Sequence, residues 1–564
     1  MTDFARTFIL NVTCLRVDEI SSRCRWRCAL GCKRIRFRLF ASIVLTVAAL
    51  VCPRVDAATT ALKSLDTSKW IQARAQRAEE NSQWLQAAGF YEQLLARNRS
   101  SAEFRQHYQN CLRRAQQLRR QQDVSYRQQV GSLSLDNALK VYAEVLTKLQ
   151  HAYVDKEKVT FPLMFREGVR ELENGLSDPS FCRIHLPQVD ADTIREFREQ
   201  VLAPLHAVEG LRREEIQTRV RALALSAKTA LGLHPSLLVV ELASGACAGL
   251  DEYTHYLTPG QLVESDALSR GELVGVGIDL APDEQRPVVE SVLHASPAEA
   301  VGIRTGDRLL RIDDRTDLTT ENATDLLKGE LDTVVELELT GPGHKPRIVK
   351  LKRQALSLPS VSEPRFIDEH LGIGYVQIAG FQESTVQEVD NALAKLEATG
   401  MRALVLDLRG NMGGLFDVAV QVAERFLSSG IIAFTRGQSD ESNLTYRARP
   451  MSILTVPLVV LIDSDTASSA EMLAGALKDN HRGTLVGQPT FGKGSIQKIR
   501  KLQSVPAAIR MTVAKFYSPQ GHPYADVGVL PDISVERSAA VKDLDRDPQV
   551  QSALDVARRL VMVH

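Results

Sequence analysis

The stretch from Val460 to Gln497 constrains this chain more than any other, because it reads in order as strand, sharp turn, helix, strand and a lysine between glycines. Pro457 to Asp463 is short, rich in Val, Leu and Ile, and bounded by turn residues, which describes a parallel strand buried on both faces. Asp465 and Thr466 stand where a following helix needs a cap, and Met472, Leu473, Ala476 and Leu477 recur at helical spacing. Ser468 and Glu471 fit the Ser-x-x-Glu capping pattern. A serine at a strand-to-helix turn is exposed where backbone amides and the helix dipole favour developing negative charge. That position suits a nucleophile.

A hydroxyl nucleophile needs a base. The nearest histidine, His481, follows the helix with no evident orienting partner, whereas Lys493 lies in Thr-Phe-Gly-Lys-Gly-Ser, flanked by glycines that allow close backbone approach. A lysine serves as base only when neutral. Its ordinary pKa of about 10.4 must fall by roughly three units, about 4 kcal/mol of differential stabilisation, which burial can supply. Taken singly, a Ser-x-x-Glu is usually only a helix cap and a Gly-Lys-Gly only a loop.

Together, Thr466-Ala-Ser-Ser-Ala-Glu471 and Thr490-Phe-Gly-Lys-Gly-Ser-Ile-Gln497 resemble the active-site run of the carboxy-terminal processing, or tail-specific, serine peptidases. The resemblance implies Ser468 as nucleophile, Lys493 as base and Gln497 as the residue that orients the lysine. Thr466 and Ala470 depart from the family's small serines, and Ser469 places a second hydroxyl on the same turn. The implied fold is multidomain: an α/β protease core of the ClpP/crotonase type, an inserted PDZ-like β domain and an N-terminal all-helical region. No metal and no organic cofactor is implied.

Ala403 to Leu408 reads as a buried strand ending in Arg409-Gly-Asn-Met-Gly-Gly414, ahead of a helix over Phe416 to Phe426. A glycine-rich turn between strand and helix can line an oxyanion site with amides. By resemblance the amide of Gly414, with Gly413 as the alternative, pairs with that of Ser469. Gly410 and Met412 depart from the family's loop, and Asp407 is read as structural. Residues 271–353 alternate β-prone runs with turns and resemble a PDZ domain, carried by Val274-Gly275-Val276-Gly277, Ser296-Pro-Ala-Glu-Ala300 and Gly302 to Asp313. The Val274, Gly275, Val276, Gly277 turn is the expected receptor for a peptide's terminal carboxylate, with strand addition beside it. Gly249 to Leu262 resembles the family's segment preceding its PDZ domain.

The remaining chain sets the context. Arg23 to Arg38 is basic and Leu39 to Cys52 apolar, shorter than the roughly 20 residues of a membrane span, with Val55-Asp-Ala57 after it. This reads as a secretory signal peptide, the alternative being an uncleaved anchor. Residues 58–134 read as a helical accessory segment with a stripe at Trp84, Ala88, Tyr91 and Leu95. Residues 135–270 read as the helical part of the scaffold, with Leu139, Tyr142, Leu146, Leu149 and Tyr153 as core. Residues 354–540 are the protease core and 541–564 a closing helix capped by Asp547-Pro548. Of the 8 cysteines, Cys14, Cys24, Cys28, Cys32 and Cys52 lie in the leader. Cys111, Cys182 and Cys247 allow at most one disulfide and lack zinc-site spacing. The 69 basic and 69 acidic residues balance, which removes the electrostatic argument for a nucleic-acid partner. The expected function is thus a periplasmic or secreted serine endopeptidase acting on proteins near their C-termini, its PDZ domain either gating or tethering. The second reading is a PDZ-containing peptide-binding scaffold with an inactive core. The sequence sets no oligomeric state.

Overall fold

The structure, a computed structural model, describes residues 54–207, 209–281, 286–341, 343, 345–449, 453–537 and 544–563. The basic and apolar runs of the leader lie outside the described residues. The chain divides into two compact units that meet in sequence between Leu112 and Arg113, so the expected boundary after residue 134 falls inside the second.

In the first unit, α1 (Arg54–Glu80) and α2 (Trp84–Arg97) pack as a hairpin. Its core holds Ile71, Ala75, Ala87, Ala88, Phe90, Tyr91 and Leu94. The buried stripe is rotated from the one read in sequence: Trp84 and Leu95 are only half-buried. Glu79 gathers the Tyr91 hydroxyl at 3.0 Å and the Cys111 thiol at 3.1 Å. Helix α3 (Ala102–Gln122) carries the chain into the second unit.

That unit begins with α4 (Val124–Ser132), α5 (Leu135–Ala152), α6 (Phe161–Leu176), α7 (Pro179–His185), α8 (Ala191–Phe197), α9 (Arg213–Leu231) and α10 (Pro235–Ala248). Every residue of α10 from Ser236 to Cys247 is buried, as befits a mostly apolar helix enclosed by neighbours. The stripe Leu139, Tyr142, Leu146, Leu149 and Tyr153 forms core as read. Glu241, fully buried on α10, accepts from both Arg120 Nε and Nη2 at 3.0 and 2.7 Å and from the Tyr126 hydroxyl at 2.6 Å. A buried carboxylate is tolerable because it is paired and saturated with donors.

Strand β1 (His255–Leu257), α11 (Pro259–Ser269) and β2 (Glu272–Gly275) lead into the inserted β domain. This contains β3 (Ile278–Ala281), β4 (Val288–Val292), α12 (Pro297–Ala300), β5 (Arg308–Ile312), α13 (Thr320–Leu327), β6 (Val334–Thr340) and β7 (Arg347–Lys352). Its sheet runs β3-β4-β5-β6-β7, so β3 is an edge strand, and α13 lies beside it. On leaving, β8 (Gln354–Ser357) pairs antiparallel with β2, tying the two ends of the insert together.

The core follows as β9 (Arg365–Asp368), β10 (Ile373–Gln377), α14 (Thr385–Ala398), β11 (Ala403–Asp407), α15 (Phe416–Ala423), β12 (Ile431–Gly437), β13 (Thr445–Arg447), β14 (Leu458–Ile462), α16 (Ser469–Asp479), β15 (Thr484–Gly487), β16 (Ser495–Lys501), β17 (Ala508–Tyr517), β18 (Ile533–Ser534) and α17 (Pro548–Val563). The central sheet is β18-β15-β14-β11-β10-β9, with every pairing parallel except that of β9. Alternation sorts its side chains: Leu404, Leu406, Val460 and Ile462 meet α14, α15 and α16, while Val405, Val459 and Leu461 meet α17. Burial on both faces explains why β11 and β14 read as unbroken apolar runs. A second sheet, β1-β17-β12-β13 with β16 also on β17, joins this core to the helical part, since Ile509 and Met511 of β17 face the helices and Phe516 faces the core.

Candidate active site

Of the cap positions that the sequence offers, helix α16 uses the one in the Ser-x-x-Glu pattern. Ser468, not Asp465 or Thr466, is its N-cap, because Thr466 is used otherwise: its hydroxyl accepts from Asp463 N at 3.0 Å and donates to Leu408 O at 3.0 Å. These bonds stitch the end of β14 to the end of β11. A further bond from Ala467 N to Asn411 O at 2.8 Å fixes the two turns side by side. Ser468 then sits at φ 58°, ψ −122°, a conformation that side-chain-bearing residues rarely adopt and that persists only when its surroundings enforce it. It lies on a sharp strand-to-helix turn, half-buried, whereas Ser469 is 1% exposed and its hydroxyl donates to Gly414 O at 3.2 Å. The two neighbouring hydroxyls are therefore not equivalent: one is open, the other occupied.

Glu471 holds the site together. It is fully buried. Its Oε2 accepts from Ser468 N at 2.7 Å and Lys493 N at 2.8 Å, and its Oε1 from Gly492 N at 2.7 Å and the Thr490 hydroxyl at 2.6 Å. One carboxylate oxygen thus bridges the backbones of the serine and the lysine. Burial pushes the Glu471 carboxyl up to about 7, while its four donors pull the other way. Sequence reading assigned this residue to a capping box; the Ser-x-x-Glu spacing carried the signal for the first bond, but nothing local announces the three bonds to the 490–493 loop.

Lys493 is half-buried, and its Nζ has no hydrogen-bond acceptor among the described residues; it lies 4.3 Å from the centre of the Tyr253 ring. Burial, helped by the positive Arg510, lowers its pKa to about 8, against the pull of Glu252, Asp251 and Glu471. Gln497 lies on β16, where its Nε2 donates to Ser495 Oγ at 3.0 Å and Thr512 Oγ1 at 3.2 Å. No hydrogen bond joins Gln497 to Lys493 among the described residues. His481 is exposed beyond the end of α16.

On the facing loop, Gly413 and Gly414 have φ of 103° and 139°. The Gly413 amide donates to Asn411 Oδ1 at 2.8 Å, which leaves the exposed Gly414 amide without a partner among the described residues. A Cβ on Gly413 would lie 2.9 Å from Ser468 Cβ, and one on Gly414 only 2.2 Å from Phe381 O. Gly414→Ala is expected to force the loop away from Phe381, lowering kcat/KM at least about tenfold with a stability cost of about 1–3 kcal/mol. Kinetics and thermal melting check this; a variant with unaltered kinetics would show that the loop has no part in the chemistry. Asp407 is buried and carries structure, accepting from the Tyr375 hydroxyl at 2.7 Å and from Arg409 Nη2 at 2.7 Å.

In the inserted domain, Gly275 ends β2, Val276 is buried, and Gly277 turns the chain at φ 82° into the edge strand β3. Leu293 N and Ala298 N donate to the Gly277 and Val276 carbonyls at 2.9 and 3.0 Å, fixing this turn from below. Cys111, Cys182 and Cys247 are free thiols. No group of three or more metal-ligating side chains occurs among the described residues.

A family model described as Peptidase family S41 matches residues 372–535, and one described as PDZ domain matches residues 288–340. A carboxyl-terminal-processing protease of Synechocystis sp. is 37% identical over 320 residues, covering 55% of this chain and 74% of the relative. A chloroplastic C-terminal processing peptidase of Tetradesmus obliquus is 34% identical, covering 55% of this chain and 70% of its own length. The solved structure of a photosystem II D1 C-terminal processing protease aligns at 26% identity and a TM-score of 0.40, over 75% of this chain and 97% of that one. The class defined is a serine peptidase with an inserted PDZ domain. The chain belongs to peptidase family S41, the carboxyl-terminal-processing proteases.

Proposed function

We propose that the protein is an endopeptidase that cleaves other proteins near their C-termini through a Ser468/Lys493 dyad. The observation that supports this is the single Glu471 oxygen shared by the Ser468 and Lys493 amides, which ties the backbones of a half-buried serine and a partner-poor lysine together. Ser468 Oγ attacks the scissile carbonyl and its proton passes to neutral Lys493 Nζ. The amides of Gly414 and Ser469 receive the oxyanion. Collapse breaks the C–N bond, the lysine's proton leaves with the amine, and water then hydrolyses the acyl-serine with Lys493 again taking the proton. Gln497 enters as a support for the lysine, reached by turning its amide from Ser495 and Thr512.

The substrate's terminal carboxylate docks at the Val274 to Gly277 turn, and the preceding residues add to the open edge of β3, opposite α13. A Cβ on Gly277 would lie 2.2 Å from Ser296 Cβ. Gly277→Ala is therefore expected to raise KM for a protein with a free C-terminal tail about tenfold while sparing hydrolysis of a small ester. Equal effects on both substrates would argue against this docking mode. The compartment is the periplasm or the exterior, reached through the basic and apolar leader; no helix among the described residues is long and apolar enough to cross a membrane.

A fluorophosphonate probe followed by peptide mass spectrometry tests the chemistry. Labelling of Ser468 that disappears in Ser468→Ala supports the dyad, labelling of Ser469 reassigns the nucleophile, and no labelling with intact peptide binding supports the inactive-scaffold reading instead.

A further inference from the structure

A lysine that must shed its proton cannot be held by a carboxylate, because a close ion pair would lock it in the charged form. Yet a flexible four-carbon side chain left unheld would seldom point at the serine. Gln497 does not supply the contact, its amide being engaged with Ser495 and Thr512. The group that does meet Lys493 Nζ is the face of Tyr253, 4.3 Å from the ring centre.

Tyr253 is itself placed by a rigid turn. Asp251 Oδ1 accepts from Tyr253 N at 2.9 Å and Thr254 N at 2.6 Å, and its Oδ2 from the Tyr153 hydroxyl at 3.1 Å. The next residues form β1, paired with β17 from His255↔Arg510 to Leu257↔Ala508. Thr254 Oγ1 accepts from Thr512 N at 3.2 Å, the same Thr512 whose hydroxyl meets Gln497. The ring therefore stands on the sheet whose neighbouring strand, β16, follows directly from the lysine loop.

We infer that Tyr253 is a positioning residue for the lysine base: its ring face holds the Lys493 amine in place of a hydrogen-bond acceptor. An aromatic face attracts the ammonium moderately, enough to fix the side chain without forbidding its deprotonation. The inference rests on the reading of Lys493 as base. The other charges that bear on Nζ are Arg510 from β17, Asp251 and Glu252 from the turn, and Glu471 from α16.

The test is the pH dependence of kcat/KM for the intact enzyme and for Tyr253→Phe, Tyr253→Leu, Tyr253→Met and Lys493→Ala. Removing the ring while keeping the volume lowers the amine's proton affinity, so the acid limb of the Leu and Met variants moves to lower pH by about half to one unit. Their plateau kcat falls about tenfold with KM little changed, because the amine is neutral more often but held less well. Tyr253→Phe keeps the limb in place. Glu471 titrates in all these proteins, so the difference between Phe and Leu isolates the ring. A limb that stays or moves to higher pH in both Leu and Met, or equal impairment by Phe and Leu, overturns the inference; the Met variant serves if Leu does not fold. Activity retained by Lys493→Ala overturns instead the reading of the lysine as base.

Discussion

Lys493→Met should melt at a higher temperature than the native enzyme and turn over substrate at least about 10³-fold more slowly. Both effects follow from one fact, a lysine whose pKa is lowered to about 8 by burial beside Arg510. An unfolded lysine titrates near 10.4, so between about pH 8 and 10.4 the unfolded state binds more protons than the folded one, and stability rises with pH across that window. Below pH 8 both states hold the proton and the folded state bears the full desolvation penalty. Methionine fills a similar volume without charge, and at pH 7 the gain should be about 1–3 kcal/mol after allowance for the lysine's partial exposure. With Lys493 as the proposed base, the same lowered pKa should make native kcat/KM climb about tenfold per pH unit up to roughly 8, since that mechanism needs the neutral amine. Thermal melts from pH 6 to 10 and a pH–rate profile check the pair. A methionine variant that is both less stable and still active would mean that Lys493 is an ordinary structural cation.

What the sequence made legible follows from which interactions are local. Strands β11 and β14 announce themselves as unbroken apolar runs because both faces are covered, and α16 by its 3.6-residue period. Ser468 and Lys493 read as a pair because a strand-turn-helix and a glycine-flanked lysine fall close in sequence, and singly each reads as a cap and a loop; the structure adds the Glu471 oxygen that accepts both backbone amides. Local pattern offers both Thr466 and Ser468 as caps and does not choose between them, since Thr466 has the right side chain for capping and no local rule reveals that its hydroxyl is engaged by Asp463 N and Leu408 O. The helix expected to reach Phe426 stops at Ala423. Contacts that cross more than a hundred residues were not legible at all: β1 on β17, the Arg120–Glu241 pair and Tyr253 over Lys493 join segments whose own patterns say nothing of their partners. Gln497 shows the converse, a role carried by resemblance while its contacts run to Ser495 and Thr512.

Glu471→Ala is expected to cost about 10²- to 10³-fold in kcat/KM, more than its effect on folding would suggest. The carboxylate touches no reacting atom. It accepts the amides of Ser468, Gly492 and Lys493 and the hydroxyl of Thr490, and these bonds tie a serine at φ 58° to the glycine-flanked loop that carries Lys493, the proposed base. Each buried donor left without an acceptor costs about 1–3 kcal/mol, but removal of a buried charge and entry of water offset much of that, for a net loss of about 2–3 kcal/mol. A 1 Å relaxation of either backbone, by contrast, falls directly on the proton-transfer geometry. Glutamine does not repair the site, because its amide group would turn two N–H donors toward groups that are themselves donors. The pH dependence separates this residue from the lysine. With its folded pKa raised to about 7 from an ordinary value near 4.3, Glu471 contributes stability that is fully present below about pH 4.3 and lost as pH rises through 7. The alanine variant should lose that slope, while Lys493→Met keeps it and instead loses the rise above pH 8. Melts of both variants across pH 4 to 10, with kcat/KM at the plateau, decide the matter: an alanine variant within a few-fold of native activity would show that Ser468 and Lys493 are held in register by other contacts, and the shared oxygen would then be a consequence of the site's geometry rather than its cause.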